Sequence, residues 1–297
     1  VPDADDPVVI AEEGAQTATP VEEVVFNYVG DWNVSVSASE SWLTVSYADG
    51  VLSYTAEANA GGVREAVVTI TATREGSEPL SWTVNVLQKG APQEITIAEF
   101  MTKEKNENVT YKLTGKITEM SSSSSGTFKL TDGTNVATVT YLYTDGGEKV
   151  YGDDTIGLEV GDVVTVTTVV ASTTKGKGGS SAYHSVYKGH YGLKAIAGVA
   201  AEYTGGTVAI EVTTKNNGNI VLPETVTAAI AENDFAELSY NGGGQATVTF
   251  PSENTTSEAR EAEVTFTYGM ASVTVIAEQG INPANKLGYE LVTDAST

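Results

Sequence analysis

The sequence predicts an all-β fold in which two related β-sandwiches flank a five-stranded barrel. Three observations carry this reading. An eight-residue motif occurs twice, as Arg64-Glu65-Ala66-Val67-Val68-Thr69-Ile70-Thr71 and as Arg260-Glu261-Ala262-Glu263-Val264-Thr265-Phe266-Thr267, and such duplication marks a repeated supersecondary unit. Short alternating segments recur roughly every ten residues, punctuated by Asp-Gly, Gly-Gly and Glu-Gly, which is the rhythm of antiparallel sheets. Val, Thr, Ser, Gly and Tyr are abundant, whereas long helix-forming stretches are scarce.

Taken in order, residues 1–7 (Val1-Pro2-Asp3-Ala4-Asp5-Asp6-Pro7) are acidic, proline-rich and aperiodic, so a flexible tether is expected there. The first module spans residues 8–91, with strands expected at 21–27, 32–37, 42–46, 51–57, 64–72 and 82–88 and a hairpin turn at Arg74-Glu75-Gly76-Ser77. Each copy of the repeated motif is followed by a second alternating strand closing on Gln and Gly, at Gln88 and Gly90 and again at Gln279 and Gly280. Upstream, Trp42 and Gly50 correspond to Phe235 and Gly243, and Asn59 and Asn254 each precede the motif arginine. These features, with Trp32-Asn33-Val34, Ser41-Trp42-Leu43-Thr44-Val45-Ser46 and the closing Val84-Asn85-Val86-Leu87-Gln88-Lys89-Gly90, resemble the BACON domain, an immunoglobulin-like module common in secreted proteins of Bacteroidetes. The resemblance implies an immunoglobulin-like sandwich that binds carbohydrate or serves as a spacer. Residues 191–281 fit the same frame more loosely, with Val226 and Phe235 near the two Trp positions and residues 216–224 lengthening one connection.

The middle module, residues 92–190, follows a different pattern. Residues 95–101 lead into a long strand at 109–120 that contains Gly115, followed by segments at 126–134, 135–143, 163–171 and 182–186. Five strands, a glycine inside the first to let it bend into both sheets, and Val160-Gly161-Asp162 before the fourth look like an OB-fold barrel. Modules reading Leu-Thr-Gly-Lys-Ile and Leu-Thr-Asp-Gly-Thr, as residues 113–117 and 130–134 do, resemble those adjoining BACON domains in Bacteroidetes surface lipoproteins. The predicted fold is therefore two immunoglobulin-like, BACON-like sandwiches flanking an OB-fold-like barrel. Residues 282–297 are a tail or the start of a further module, with Tyr289-Glu290-Leu291-Val292-Thr293-Asp294-Ala295 as its candidate strand.

Composition narrows the function classes. There is no cysteine, which excludes disulfides, thiolate metal sites and cysteine nucleophiles. The formal net charge is −23. Residues 1–91 carry 3 basic and 14 acidic groups, residues 92–190 carry 9 and 12, and residues 191–297 carry 4 and 13. Such fields repel phosphate backbones, so no nucleic acid is expected as partner. No apolar run is long enough to span a bilayer. The chain starts at Val1 and reads as a processed or trimmed product, which leaves room for a lipid anchor upstream of residue 1. An extracellular, cell-surface or secreted location is expected.

No catalytic signature is present: no Gly-x-Ser-x-Gly, no P-loop, no His-Glu-x-x-His. No cofactor is expected. His184 and His190 would share a face of one continuous strand, but nothing beside them completes a metal site. Adjacent side chains on a strand diverge, so Ser185 cannot act with His184. Asp145, Glu148, Asp153 and Asp154 lie in a glycine-containing loop without EF-hand spacing, and a solvated loop is the expectation. Trp42 reads as a core aromatic more readily than as a sugar platform, and Arg64 as an ion-pair or backbone contact at a strand start. The barrel holds the candidate ligand surface. Tyr141, Tyr143, Tyr183 and Tyr187, with Lys175 and Lys177 in a glycine-rich loop, supply rings and cations where OB barrels bind. Tyrosine stacks on sugars or bases alike, and the acidic charge favours a neutral glycan or surface polysaccharide. The expected role is non-catalytic: carbohydrate binding, adhesion, or spacing and presentation. The alternatives are the accessory region of a larger secreted enzyme, such as a glycoside hydrolase or nuclease, and an OB-fold nucleic-acid binder.

Overall fold

A computed structural model describes residues 7–21, 31–121, 125–150 and 156–285, and the fold is all-β apart from one helical turn. The N-terminal part contains β1 (Val8–Ile10), β2 (Ala15–Pro20), β3 (Asn33–Ala38), β4 (Leu43–Ala48), β5 (Val51–Ala56), β6 (Arg64–Thr73) and β7 (Leu80–Gln88). They form two sheets, ordered β1-β7-β6-β3 and β2-β5-β4. Period-two alternation puts Ala66, Val68 and Ile70 of β6 into the core opposite Leu43 and Leu52 of the other sheet. Asp49 and Gly50 join β4 to β5 with φ of 51° and 85°, the two left-handed residues that a type I′ hairpin requires. The sequence anticipates β3 to β7 within a residue or two. The strand β1 is too short, and β2 too polar, to announce itself. The expected strand at 21–27 falls almost wholly outside the described residues, as do residues 1–6 of the tether and residues 286–297 of the tail.

The middle part begins with β8 (Gln93–Glu94) and the single turn α1 (Ile97–Phe100). Thr96 and Glu99 form a capping box at α1: the Glu99 N–H donates to Thr96 Oγ1 at 3.1 Å, and the Thr96 N–H donates to Glu99 Oε2 at 2.8 Å. The turn lowers Ile97 and Phe100 onto the end of the barrel core. Next come β9 (Asn106–Ser121), β10 (Thr127–Thr131), β11 (Val136–Thr140), β12 (Leu142–Tyr143), β13 (Val163–Val170), β14 (Lys177–Gly178) and β15 (Ser185–Ala197). Hydrogen-bonded pairing runs β9 to β10, β10 to β11, β12 to β15, β15 to β13, and β13 back to β9. Because β11 and β12 are one run interrupted at Tyr141, this ring is closed and has five members. The first strand serves both halves, pairing β13 along residues 106–116 and β10 along 116–121. The change of partner comes one residue after Gly115. Packing adds a reason for that glycine, since a Cβ there would lie 2.6 Å from Ile97 Cδ1 and 3.0 Å from Leu130 Cβ.

The remaining strands are β16 (Gly206–Gly218), β17 (Thr227–Ile230), β18 (Glu237–Ser239), β19 (Gln245–Phe250), β20 (Arg260–Tyr268) and β21 (Ala271–Gln279). Their sheets, β16-β19-β18 and β17-β20-β21, repeat the N-terminal pattern, and an isolated parallel bridge from Ala201 to Gln279 takes the place of the β1–β7 pairing. The duplicated motif has a physical cause. Gln88 Nε2 donates to Ala11 O at 3.1 Å and Glu57 O at 2.8 Å, while Arg64 donates to Gln88 Oε1 at 2.9 Å and Glu57 O at 3.0 Å. In the second copy Gln279 donates to Tyr203 O at 3.1 Å and Ser252 O at 2.8 Å, and Arg260 reaches Gln279 Oε1 and Glu253 O. Asn59 ties Gly62 O and Lys89 O, as Asn254 ties Glu258 O and Gly280 O. These side chains satisfy backbone groups that the sheets leave buried and unpaired. Barrel and second sandwich share a continuous sheet, because β15 pairs β13 on one edge and β16 on the other. Position 190/191 therefore lies within a strand.

Candidate functional site

The groove worth attention lies on the barrel, over β10 and β11 and beneath the segment 171–184. It has a volume of about 460 Å³, and Ser125, Thr127, Thr138, Ser180 and Ser181 bring hydroxyls to its wall beside Tyr141 and Lys177. Local backbone chemistry creates its aromatic end. Tyr141 has φ of 54°, and its N–H donates to Ser125 O at 2.7 Å while its carbonyl accepts from the Ser185 N–H at 3.1 Å. That left-handed residue turns the chain out of β11 so that β12 pairs β15 in parallel, Leu142 with Ser185 and Tyr143 with Val186. The same pairing brings His184, just before β15, against the tyrosines. Its ring stacks on Tyr143 at 4.0 Å and 4°, and lies nearly parallel to Tyr141 at 6.2 Å and 14°. His184 Nε2 is 3.0 Å from Ser181 O, which fixes the ring in its plane. The result is an exposed histidine layered on two half-buried tyrosines, of which Tyr141 also lines the hydroxyl-bearing groove.

Of the six candidate residues Tyr141 and Lys177 line the groove, and Tyr143 is joined to Tyr141 through the His184 ring. The other three go elsewhere. Tyr183 is 37% exposed but turns toward the N-terminal sandwich, with Lys89 Nζ 5.9 Å from its ring centroid. Its hydroxyl is hydrogen-bonded to Glu107, which raises the phenol pKa, and Glu107 also pairs with Lys105 at 2.8 Å. Lys175 points outward and pairs with Glu104 at 3.1 Å. Tyr187 must be withdrawn from the ligand surface. It is only 8% exposed, packs in the barrel core, and meets His190 Nδ1 through its hydroxyl at 2.7 Å. Burial, with a smaller contribution from the Asp162 charge, pushes its pKa up to about 12.

The expected shared face of His184 and His190 does not form. The strand begins at Ser185, and a bulge shifts the β13–β15 register between the Thr165–Gly189 and Val166–Tyr187 pairs. Such a shift inverts the facing of everything beyond it, and it is what lets Tyr187 and His190, three apart, meet. Ser185 is buried, with its hydroxyl 2.8 Å from Thr168 Oγ1. Asp145 pairs with Lys188, Glu148 is exposed, and Asp153 and Asp154 lie outside the described residues. Among the described residues no cluster of three His, Asp or Glu could hold a metal, and no helix is long and apolar enough to cross a membrane. In the N-terminal sandwich one face of Trp42 is covered by the Arg64 guanidinium, 4.4 Å from the ring centroid, as Arg260 lies 5.5 Å from Phe235. The sequence brings His184 forward only as a metal-site candidate and not as part of the ligand surface, since only the parallel β12–β15 register places it beside Tyr143.

Comparison with known proteins adds one local assignment. The BACON family, described as "Putative binding domain, N-terminal", matches residues 31–89. No curated protein sequence matches the chain. Solved structures give only distant global likenesses. An endo-fucoidan hydrolase from glycoside hydrolase family 107 is 7% identical over 84% of this chain, with a TM-score of 0.22, and this chain spans 38% of its length. Titin domains Z1Z2 in complex with telethonin are 11% identical, covering 93% of this chain and 92% of that one, with a TM-score of 0.23. The S-layer protein rSbsC is 13% identical over 90% of this chain and 38% of its own, with a TM-score of 0.24. Values this low assign no function. The β3–β7 region of the N-terminal sandwich, residues 31–89, is similar to the BACON family.

Proposed function

We propose that this chain is a non-catalytic binding protein of a bacterial surface, whose OB-fold-like barrel holds a neutral glycan between two spacing sandwiches. The carrying observation is the layered Tyr141, Tyr143 and His184 group, which continues from Tyr141 on the wall of a groove lined by serine and threonine hydroxyls. Stacked rings pack against the C–H face of a pyranose, and hydroxyls exchange hydrogen bonds with its edge. A groove of about 460 Å³ is within the usual range for small-ligand sites. The ring order, with β9 between β10 and β13 and β12 parallel to β15, supports the OB-fold reading. A net charge of −23 argues against polyanions. The match to a binding-domain family covers residues 31–89 and supports a binding or spacing role for the N-terminal sandwich, and the secreted or lipid-anchored location and Bacteroidetes origin rest on the same resemblance.

A polysaccharide array tests this directly. Retention of the parent protein is expected on at least one neutral glycan, with Tyr143→Ala and His184→Ala weakening it about tenfold or more, in line with the loss of one stacking contact. Tyr183→Ala should leave retention unchanged, and oligonucleotides on the same surface should stay blank. A parent protein retained on no glycan would leave spacing as the surviving role.

A further inference from the structure

A second cleft of about 570 Å³ lies where residues 157–162 of the barrel meet β15, β16 and β21. The ionisable groups around Lys215 satisfy one another. Lys215 Nζ donates to Gly157 O at 2.8 Å, Glu159 Oε2 at 2.9 Å and Asp162 Oδ2 at 3.0 Å, which engages all three ammonium hydrogens. Lys215 is thereby fully engaged, leaving Lys194 as the exposed cation of the cleft, and the cluster ties two modules together, since Asp162 precedes β13 and Lys215 sits on β16. Behind it His190 is 1% exposed, with Nδ1 2.7 Å from Tyr187 Oη and Nε2 3.9 Å from Asp162 Oδ2.

We propose that Tyr187, His190, Asp162 and Lys215 form an acid-released latch between the barrel and the second sandwich. In the closed latch His190 is neutral: the Tyr187 hydroxyl donates to Nδ1, and the Nε2–H faces the Asp162 carboxylate. The phenol keeps its proton throughout the neutral range because burial, and then Asp162, holds its pKa at about 12. A second proton on His190 makes Nδ1–H a donor, so the Tyr187 hydroxyl must turn to accept from it and its own hydrogen loses its buried acceptor. It also creates a buried cation behind the Lys215 ammonium. The groups facing the ring are Tyr187 on its own strand, Asp162 and Glu159 on the segment before β13, and Lys215 on β16. Burial lowers the His190 pKa most; Asp162 and Glu159 raise it and Lys215 lowers it, and the balance lies below the ordinary 6.5. A histidine freed by opening protonates at its ordinary pKa, whereas the latched one resists. The latch is therefore at full strength above about pH 6.5 and weakens as pH falls toward the lowered His190 value.

The chain has two histidines, so His184→Asn leaves one imidazole to follow by NMR between pH 7.5 and 4.5. The His190 resonance is expected to titrate below 6.5. Hydrogen exchange at residues 157–162 and 213–217, corrected for intrinsic rates, should rise several-fold between about pH 6.5 and that midpoint and level off below it, while β10 and β11 stay protected. His190→Gln, which accepts from Tyr187 without titrating, should flatten the rise. A midpoint at or above 6.5, or exchange that ignores the midpoint, overturns the latch in the parent alone. An equal rise in His190→Gln overturns it too, by assigning the change to the carboxylates.

Discussion

Gln88 and Asn59 carry no charge, yet their buried hydrogen bonds tie the N-terminal sandwich together. Both are buried, and each bonds backbone carbonyls that no strand reaches. Gln88→Ala leaves Ala11 O and Arg64 Nε without their partners. The expected cost is about 1–3 kcal/mol for each buried group left unpaired, read as a lowered urea midpoint. Gln279→Ala should do the same in the second sandwich, because the bonds are homologous. Exposed pairs such as Lys175 with Glu104 contribute little by comparison. At this scale the sequence was informative about recurrence: Asn, Arg, Gln and Gly repeat in order. It could not say what they touch, because a carbonyl left over by a sheet edge has no signature in the residue that owns it. Tyr187 shows the same limit. Its place in a tyrosine-rich stretch suggested a ligand surface, and a bulge one residue later decided that it faces the core.

Among the elements, β9 and β15 organise the molecule. Each pairs on both edges and each changes partner along its length. Gly115 stands where β9 switches, under Ile97 of the capped turn. Gly115→Ala is expected to destabilise the barrel by about 1–3 kcal/mol through overpacking against Ile97 and Leu130, a shift measurable by thermal melting. Ile97→Ala costs about 2–5 kcal/mol on its own at this buried position, and combined with Gly115→Ala the two losses should come to less than their sum because they share one space. The capped turn was itself readable, since Thr96 and Glu99 stand in the spacing of a capping box. It was overlooked because one helical turn has no period to detect. Most strand cores were legible for the opposite reason: alternation over six to ten residues, as in β6 and β20, is hard to produce by chance.

For the whole molecule, connectivity predicts cooperativity. The barrel and the second sandwich share β15, the Asp162–Lys215 pair and a small joint core of Val163, Tyr191, Tyr268 and Ala271. The N-terminal sandwich meets the barrel through the chain near Gly90 and side-chain contacts such as Lys89 with Tyr183. Calorimetry should show the barrel and second sandwich melting in one transition and the N-terminal sandwich in another. A cut at 190/191, through the middle of β15, should abolish the first and spare the second. Two separable transitions for barrel and second sandwich would overturn that expectation.

Composition, alternation and a repeated motif by themselves determined the all-β class, the duplication and the acidic surface, because those follow from local periodicity and from counting. The tertiary structure decided which rings meet. Tyr143 and His184 are forty-one positions apart in the chain and touch only because a left-handed Tyr141 redirects one strand onto another. Likewise, whether a histidine is a surface ring or a buried partner depends on strand register, which is set by pairing between distant segments and not by any residue alone.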